Sequence, residues 1–208
     1  MKKIFLGVYN PSIILTYIGV FCALIGMGNL LAIGQGKSVD ALQLSMLILV
    51  CSGVCDLFDG RVAGLCKRND MEKKFGIQLD SLADVISFVA FPACTLLFVT
   101  GFCALGIVIA CFYIFAGIMR LGWFNVTAEE SGGYYRGLPV TFAAVVFPIF
   151  FVCLKLLGSA DVVWLYEVAF VILALLFILN FRFKKPGLIG SILFLLLAIA
   201  TAVALILI

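Results

Sequence analysis

The chain has 208 residues, of which 65% are hydrophobic and 12% charged, with a formal net charge of +3 and no histidine. A soluble domain of this size cannot bury so much apolar surface, which excludes the soluble globular class and leaves an integral membrane protein. With no histidine and no Cys-x-x-Cys pair, a zinc site is not expected, and proton transfer must use a carboxylate, lysine, cysteine or tyrosine.

The N-terminal "MKKIFLGVYNPS" has no small-residue cleavage pattern, so the first apolar stretch is expected to be a retained anchor rather than a signal peptide. Lys2 and Lys3 with Phe5 and Tyr9 suit the start of a short interfacial helix. Seven apolar stretches follow, at about 12–34, 40–58, 79–99, 102–123, 140–157, 162–181 and 187–207. Most approach the roughly 20 residues a helix needs to cross the hydrocarbon. Their continuity, rather than alternation, selects helices over barrel strands. "GQGKSVD", "VTGF", "GSAD" and "KKPG" mark short turns. Two connections are long: the charged 59–78, and 124–139, "FNVTAEESGGYYRGLP". The expected fold is an all-α, polytopic membrane helix bundle with about seven spans, in a single domain over residues 1–208. The eight cysteines fall mostly in apolar runs and are expected to be small buried hydrophobes. A cytoplasmic N-terminus puts twelve of the fourteen lysines and arginines on the cytoplasmic side, leaving only Lys37 and Lys155 outside. That positive-inside bias places both long connections on the cytoplasmic face of the cell membrane.

Four aspartates flank the charged connection. Asp56 and Asp59 are three apart at the end of the second stretch, and Asp80 and Asp84 are four apart where the third begins. Both spacings put side chains on one helix face. If the two helices are antiparallel neighbours, four carboxylates meet near one membrane surface, where ionisable groups are costly and usually functional. Divalent cations relieve the repulsion, and oxygen ligands without histidine or thiolate suit magnesium or manganese. Magnesium leaves coordination positions to substrate phosphates, so the arrangement predicts a phosphate-bearing substrate held by two ions about 4 Å apart. Gly60, Ala63 and Gly76 are small enough to let a ligand or helix approach the backbone.

The stretch Asp56-x-x-Asp59-Gly60-x-x-Ala63, then Gly76-x-x-x-Asp80-x-x-x-Asp84, resembles the signature of the CDP-alcohol phosphatidyltransferase family. "DGRVAG", "FGIQLDSLADVISF", "RLGWFNV" and "YYRGLP" resemble its phosphatidylserine synthase branch. The resemblance implies a six-helix membrane core that transfers a phosphatidyl group from CDP-diacylglycerol to L-serine and releases CMP. It implies Mg2+ or Mn2+ on Asp56, Asp59, Asp80 and Asp84, with Asp84 also the general base. It implies nucleotide and pyrophosphate contacts from Asp56, Gly60, Ala63, Gly76 and Asp80. Gly64 stands where the family usually has arginine, and Lys67 and Arg68, just downstream, are the candidate replacements. The implied partners are CDP-diacylglycerol, L-serine and membrane phospholipids, with no nucleic acid, and a homodimer.

Arg120, near the cytoplasmic end of the fourth stretch, is either a snorkelling anchor or a contact to a phosphate or the serine carboxylate. Arg136 and Asn125 are further candidates for the acceptor side. Trp123, Phe124, Tyr134 and Tyr135 suit an interfacial aromatic belt, and "KRNDMEKK" a solvated loop near lipid. The alternatives are the same chemistry with glycerol phosphate or inositol phosphate, an inactive scaffold suggested by Gly64, and an ion-coupled transporter. The transporter fits less well, because its sites lie near the bilayer midplane on broken helices.

Overall fold

The structure is a computed structural model and describes residues 7–33, 39–127, 134–158, 162–184 and 187–208. The expectations for Lys2, Lys3, Phe5, Lys37 and Lys185 lie outside the described residues. A short 3-10 turn, Pro11–Ile13, starts from Asn10, whose side chain accepts from the Ser12 amide. It leads into α1 (Ile14–Ile33). Then come α2 (Val39–Leu65), α3 (Asp70–Asp84), a π-helical stretch Val85–Ala90, α4 (Phe91–Thr100), α5 (Ala104–Thr127), β1 (Tyr134–Arg136), α6 (Ala143–Leu157), α7 (Val162–Ile178), β2 (Arg182–Lys184) and α8 (Leu188–Leu207). Among the described residues, six helical segments are long and apolar enough to cross a membrane, with α3, the π stretch and α4 forming one of them, Asp70–Thr100. The bundle is helical and polytopic, as expected. The sixth stretch, 162–181, differs: α7 ends at Ile178, and its 17 residues rise only about 25 Å.

The charged connection is the largest departure. It is not a loop over 59–78: α2 runs on to Leu65 and α3 starts at Asp70, so only 66–69 link them. Asn69 and Glu72 explain the early start of α3. The Asn69 side chain accepts from the Glu72 amide, and the Glu72 carboxylate from the Asn69 amide, both at 2.8 Å. This reciprocal cap satisfies two amides that a helix start otherwise leaves bare. The four aspartates consequently sit inside helices, not at their tips, and "DMEKK" belongs to α3 rather than to a solvated loop.

Small residues let the helices approach. A Cβ on Gly53 would stand 2.5 Å from Ala144 Cβ, one on Gly117 2.7 Å from Val89, and one on Gly26 2.1 Å from the Phe91 ring. Buried hydroxyls reinforce these contacts: Ser52 donates to the Gly19 carbonyl and Ser45 to that of Gly26, tying α1 to α2. Such small-residue faces and interhelical hydrogen bonds are what hold helices together where lipid supplies no hydrophobic drive. The core of α5, α6 and α7 is aromatic, with Phe147 and Phe170 stacked at 4.0 Å and Tyr113 edge-on to Phe170 at 4.9 Å. The Tyr113 hydroxyl donates to the Phe88 carbonyl in the π stretch at 2.8 Å.

The cysteines correct the expectation. All eight are free and none is fully buried; Cys51, Cys103, Cys111 and Cys153 are exposed. Cys51, Cys111 and Cys153 lie on exposed helix faces, and Cys103 lies in the turn between α4 and α5. The other unexpected element is a ribbon. β1 pairs antiparallel with β2, in the register Tyr134–Lys184, Tyr135–Phe183 and Arg136–Arg182.

Candidate active site

Close packing of α1 on α2 builds one wall of the site. A Cβ on Gly19 would lie 3.5 Å from Cys55 Cβ, so the helices nearly touch here. One turn earlier on α1, the Thr16 hydroxyl therefore reaches Asp59 and donates to its Oδ2 at 3.0 Å. The other wall is the second half of α3. Across the gap the Asp56 carboxyl faces that of Asp84, and Asp59 faces Asp80. Asp59 and Asp84 are buried. Oxygens of Asp56, Asp80 and Asp84 all lie within 4.8 Å of one another. Asp59 stands just outside this trio, tethered to Thr16.

Two ionised carboxylates 4.8 Å apart repel by about 3 kcal/mol at an effective dielectric near 20. Among the described residues the ion pair is Lys73–Asp70, on the exposed start of α3, and none reaches the four aspartates. The charge must be met by protons or cations from outside the chain. A donor set of carboxylate oxygens, without nitrogen or sulfur, fits a hard divalent cation.

Beside the cage lies a cavity of about 230 Å³. Its lining includes Asp59 and Asp80, the small residues Gly60, Ala63 and Gly76, and Arg68. No side chain would meet a Cβ on Gly60 within 4 Å, so its backbone is open to a ligand. Arg68 Nη1 is 3.5 Å from where a Gly76 Cβ would be, which folds this guanidinium back towards the cavity. Lys67 is exposed and not among the lining residues; its carbonyl accepts from Asn10 Nδ2 at 3.1 Å. Gly64 faces open space.

The remaining predicted residues fall into two places. Asn125, near the end of α5, meets α3: the Ser81 hydroxyl donates to its Oδ1 at 3.0 Å. Arg120 is buried, donates from Nε to the Leu138 carbonyl at 3.1 Å, and lies over the Phe124 ring at 4.9 Å. It shares with the exposed Arg136 a second cavity, of about 280 Å³. Phe124 therefore packs under an arginine, whereas Trp123 and Tyr134 are exposed. Sequence reasoning missed Thr16 and Ser81. A lone threonine in an apolar span carries no signal, but Ser81 sits between Asp80 and Asp84, one residue from the motif.

The chain is similar in sequence to known proteins. CDP-diacylglycerol–serine O-phosphatidyltransferase of Helicobacter pylori is 37% identical over 102 residues, covering 48% of this chain and 42% of that protein. The protein of the same name from Saccharomyces cerevisiae is 40% identical over 98 residues, 42% of this chain and 34% of the yeast protein. Archaetidylserine synthase of Methanothermobacter thermautotrophicus is 34% identical over 116 residues, 55% of this chain and 49% of that one. The matched segments thus span less than half the length of each relative. The description of a CDP-alcohol phosphatidyltransferase, by contrast, matches residues 9–206, from the turn before α1 to the end of α8. The chain is a member of the CDP-alcohol phosphatidyltransferase family.

Proposed function

We propose that this protein transfers a phosphatidyl group from CDP-diacylglycerol to the hydroxyl of L-serine, giving phosphatidylserine and CMP, in a reaction that needs Mg2+ or Mn2+. The observation that carries this reading is the aspartate cage opening onto the cavity of Gly60, Ala63, Arg68 and Gly76. Asp56, Asp80 and Asp84, with Asp59 beside them, are the proposed metal ligands; bound cations would neutralise the pyrophosphate and the departing phosphate. The bare backbone at Gly60 lets the nucleotide-linked phosphates come close, and Arg68 supplies the cation that Gly64 lacks. Lys67 is the weaker candidate for that contact, since it is exposed and does not line the cavity.

The chemistry is one displacement. The serine Oγ–P bond forms, the bond from phosphorus to the CMP oxygen breaks, and the hydroxyl proton passes to Asp84. Asp84 is suited to this as the buried member of α3, held in place by the helix that continues into the π stretch. Asn125, on the α5 face that meets α3, is the acceptor-side hydrogen-bonding group. Arg120 and Arg136 bind an anion in the second cavity.

The acceptor rests on the relatives. Two carry serine transferase names from a bacterium and a yeast, and the archaeal one is named for archaetidylserine. The lipid part differs among these names and the serine does not. By its basic residues the cage faces the cytoplasm of the cell, and residues 1–208 act as one membrane domain. By the family resemblance, the protein works as a homodimer. The test is an acceptor screen: purified protein with CDP-diacylglycerol and either L-serine, glycerol phosphate or inositol phosphate. A serine-containing lipid is expected from L-serine alone. A lipid product only with a phosphorylated acceptor contradicts the assignment.

A further inference from the structure

Arg68, the phosphate contact of the cavity beside the cage, is not held by its own side chain. Among the described residues it makes no ion pair and no hydrogen bond. Its place next to Gly76 follows from the backbone of the 66–69 link. A long, unpartnered side chain loses much rotamer freedom when it docks on a ligand, so the anchoring of the link decides how well Arg68 is aimed.

The two ends of the link are fixed by helices. Leu65 closes α2, and Asn69 caps α3 together with Glu72. Between them the link is fastened to a third element, because the Lys67 carbonyl accepts from Asn10 Nδ2 at 3.1 Å. Asn10 uses both ends of its amide. Its Oδ1 accepts from the Ser12 backbone amide at 3.0 Å, at the start of the turn that leads into α1. A backbone N–H can only donate and a carbonyl can only accept, so the two partners agree on which end of the amide is oxygen and which is nitrogen. Pro11 stiffens the arrangement. A residue before proline is driven out of the helical region, and Asn10 is extended, with φ −109° and ψ 139°. The same turn runs into the helix whose Thr16 reaches Asp59, and Ser12, Ile13 and Thr16 line the same cavity as Arg68. Asn10 itself does not line it.

We propose that Asn10 is a positioning residue for nucleoside diphosphate binding: by holding the Lys67 carbonyl, it turns the next residue, Arg68, into the cavity. The inference rests on the nucleotide reading of this cavity, and it concerns affinity rather than turnover. Asn10→Ser separates the two roles of the side chain. Serine caps a helical turn about as well as asparagine, but its hydroxyl stops one bond short of the position of Nδ2. The full chain in detergent is titrated calorimetrically with CDP in the presence of Mn2+, and kcat and KM for CDP-diacylglycerol are measured alongside. N10S is expected to weaken CDP about three- to tenfold, the effect of one hydrogen bond. The KM for CDP-diacylglycerol is expected to rise in step, with kcat and the melting temperature unchanged. Arg68→Ala is expected to weaken CDP at least as much, and N10S to add nothing in the R68A background, because residues acting through one contact are not additive. Unchanged CDP affinity in N10S overturns the proposal. So does an equal loss from N10S with and without Arg68, or a lower kcat and melting temperature at unchanged affinity, which makes Asn10 a structural cap. A wild-type chain that binds no CDP overturns the nucleotide reading itself, and the inference with it.

Discussion

Thr16 tethers Asp59, alone among the four aspartates, to α1. Its hydroxyl occupies one Asp59 oxygen and orients the carboxylate, the kind of outer contact whose loss typically costs 10–100-fold in metal affinity. Thr16→Val is therefore expected to weaken Mn2+ binding, measured calorimetrically, by roughly tenfold while the protein stays folded. Asp84→Asn keeps size and shape but removes the proton acceptor. It is expected to lower kcat by about 10²–10⁴-fold without a loss of thermal stability; an unaltered kcat contradicts the role of base. Arg68→Ala is expected to raise KM for the CDP-lipid roughly tenfold or more, and Lys67→Ala to change it little. The aspartates were legible because their spacings of three and four recur on one helix face. The choice between Lys67 and Arg68 was not, since adjacent residues point apart and only the path of the short 66–69 link settles which one turns inward.

At the scale of the element, two features hold the site end of the bundle in shape: the capped start of α3 and the ribbon. The cap was readable as Asn69-x-x-Glu72, a start signal hidden inside a run that reads as a charged loop. The ribbon was not readable. Three-residue strands are too short to show alternation, and their partners are 46 or more positions apart. Gly137 makes the ribbon possible. It has φ +69°, and a Cβ there would stand 2.5 Å from the Phe177 carbonyl oxygen, while its amide donates to the Phe181 carbonyl at 2.9 Å. Gly137→Ala is expected to destabilise the protein by about 1–3 kcal/mol, read as a lower melting temperature in detergent. Gly64→Ala is the contrast. Gly64 lies in α2 with nothing within 4 Å of its would-be Cβ, so alanine there is expected to stabilise by about 0.5–1 kcal/mol.

For the whole molecule, hydropathy predicted the spans well because each helix must satisfy its own backbone in lipid. It overran at α7, where apolar residues continue past the helix end into the link to β2. Hydrogen bonds between elements fix the alternation of direction. Ser81 meets Asn125 and β1 meets β2 at one end, and Lys155 donates to Gln43, which donates to the Leu205 carbonyl, at the other. Cys66 follows α2 at the aspartate end, and the exposed Cys103 lies between α4 and α5 at the opposite end. With other cysteines replaced, an impermeant maleimide added to intact cells is expected to label Cys103 and spare Cys66; the reverse pattern contradicts the cytoplasmic placement of the cage. The central claim, a cation-dependent aspartate cage that transfers phosphatidyl groups to serine, has a direct measurement. Purified protein is given CDP-diacylglycerol and labelled L-serine, with Mn2+ present or chelated, and CMP and labelled lipid are both counted. The account predicts equal amounts of the two with Mn2+, and neither when the cation is chelated or Asp56 or Asp80 is changed to Asn. Labelled lipid that persists under chelation, or CMP released without it, would contradict the account.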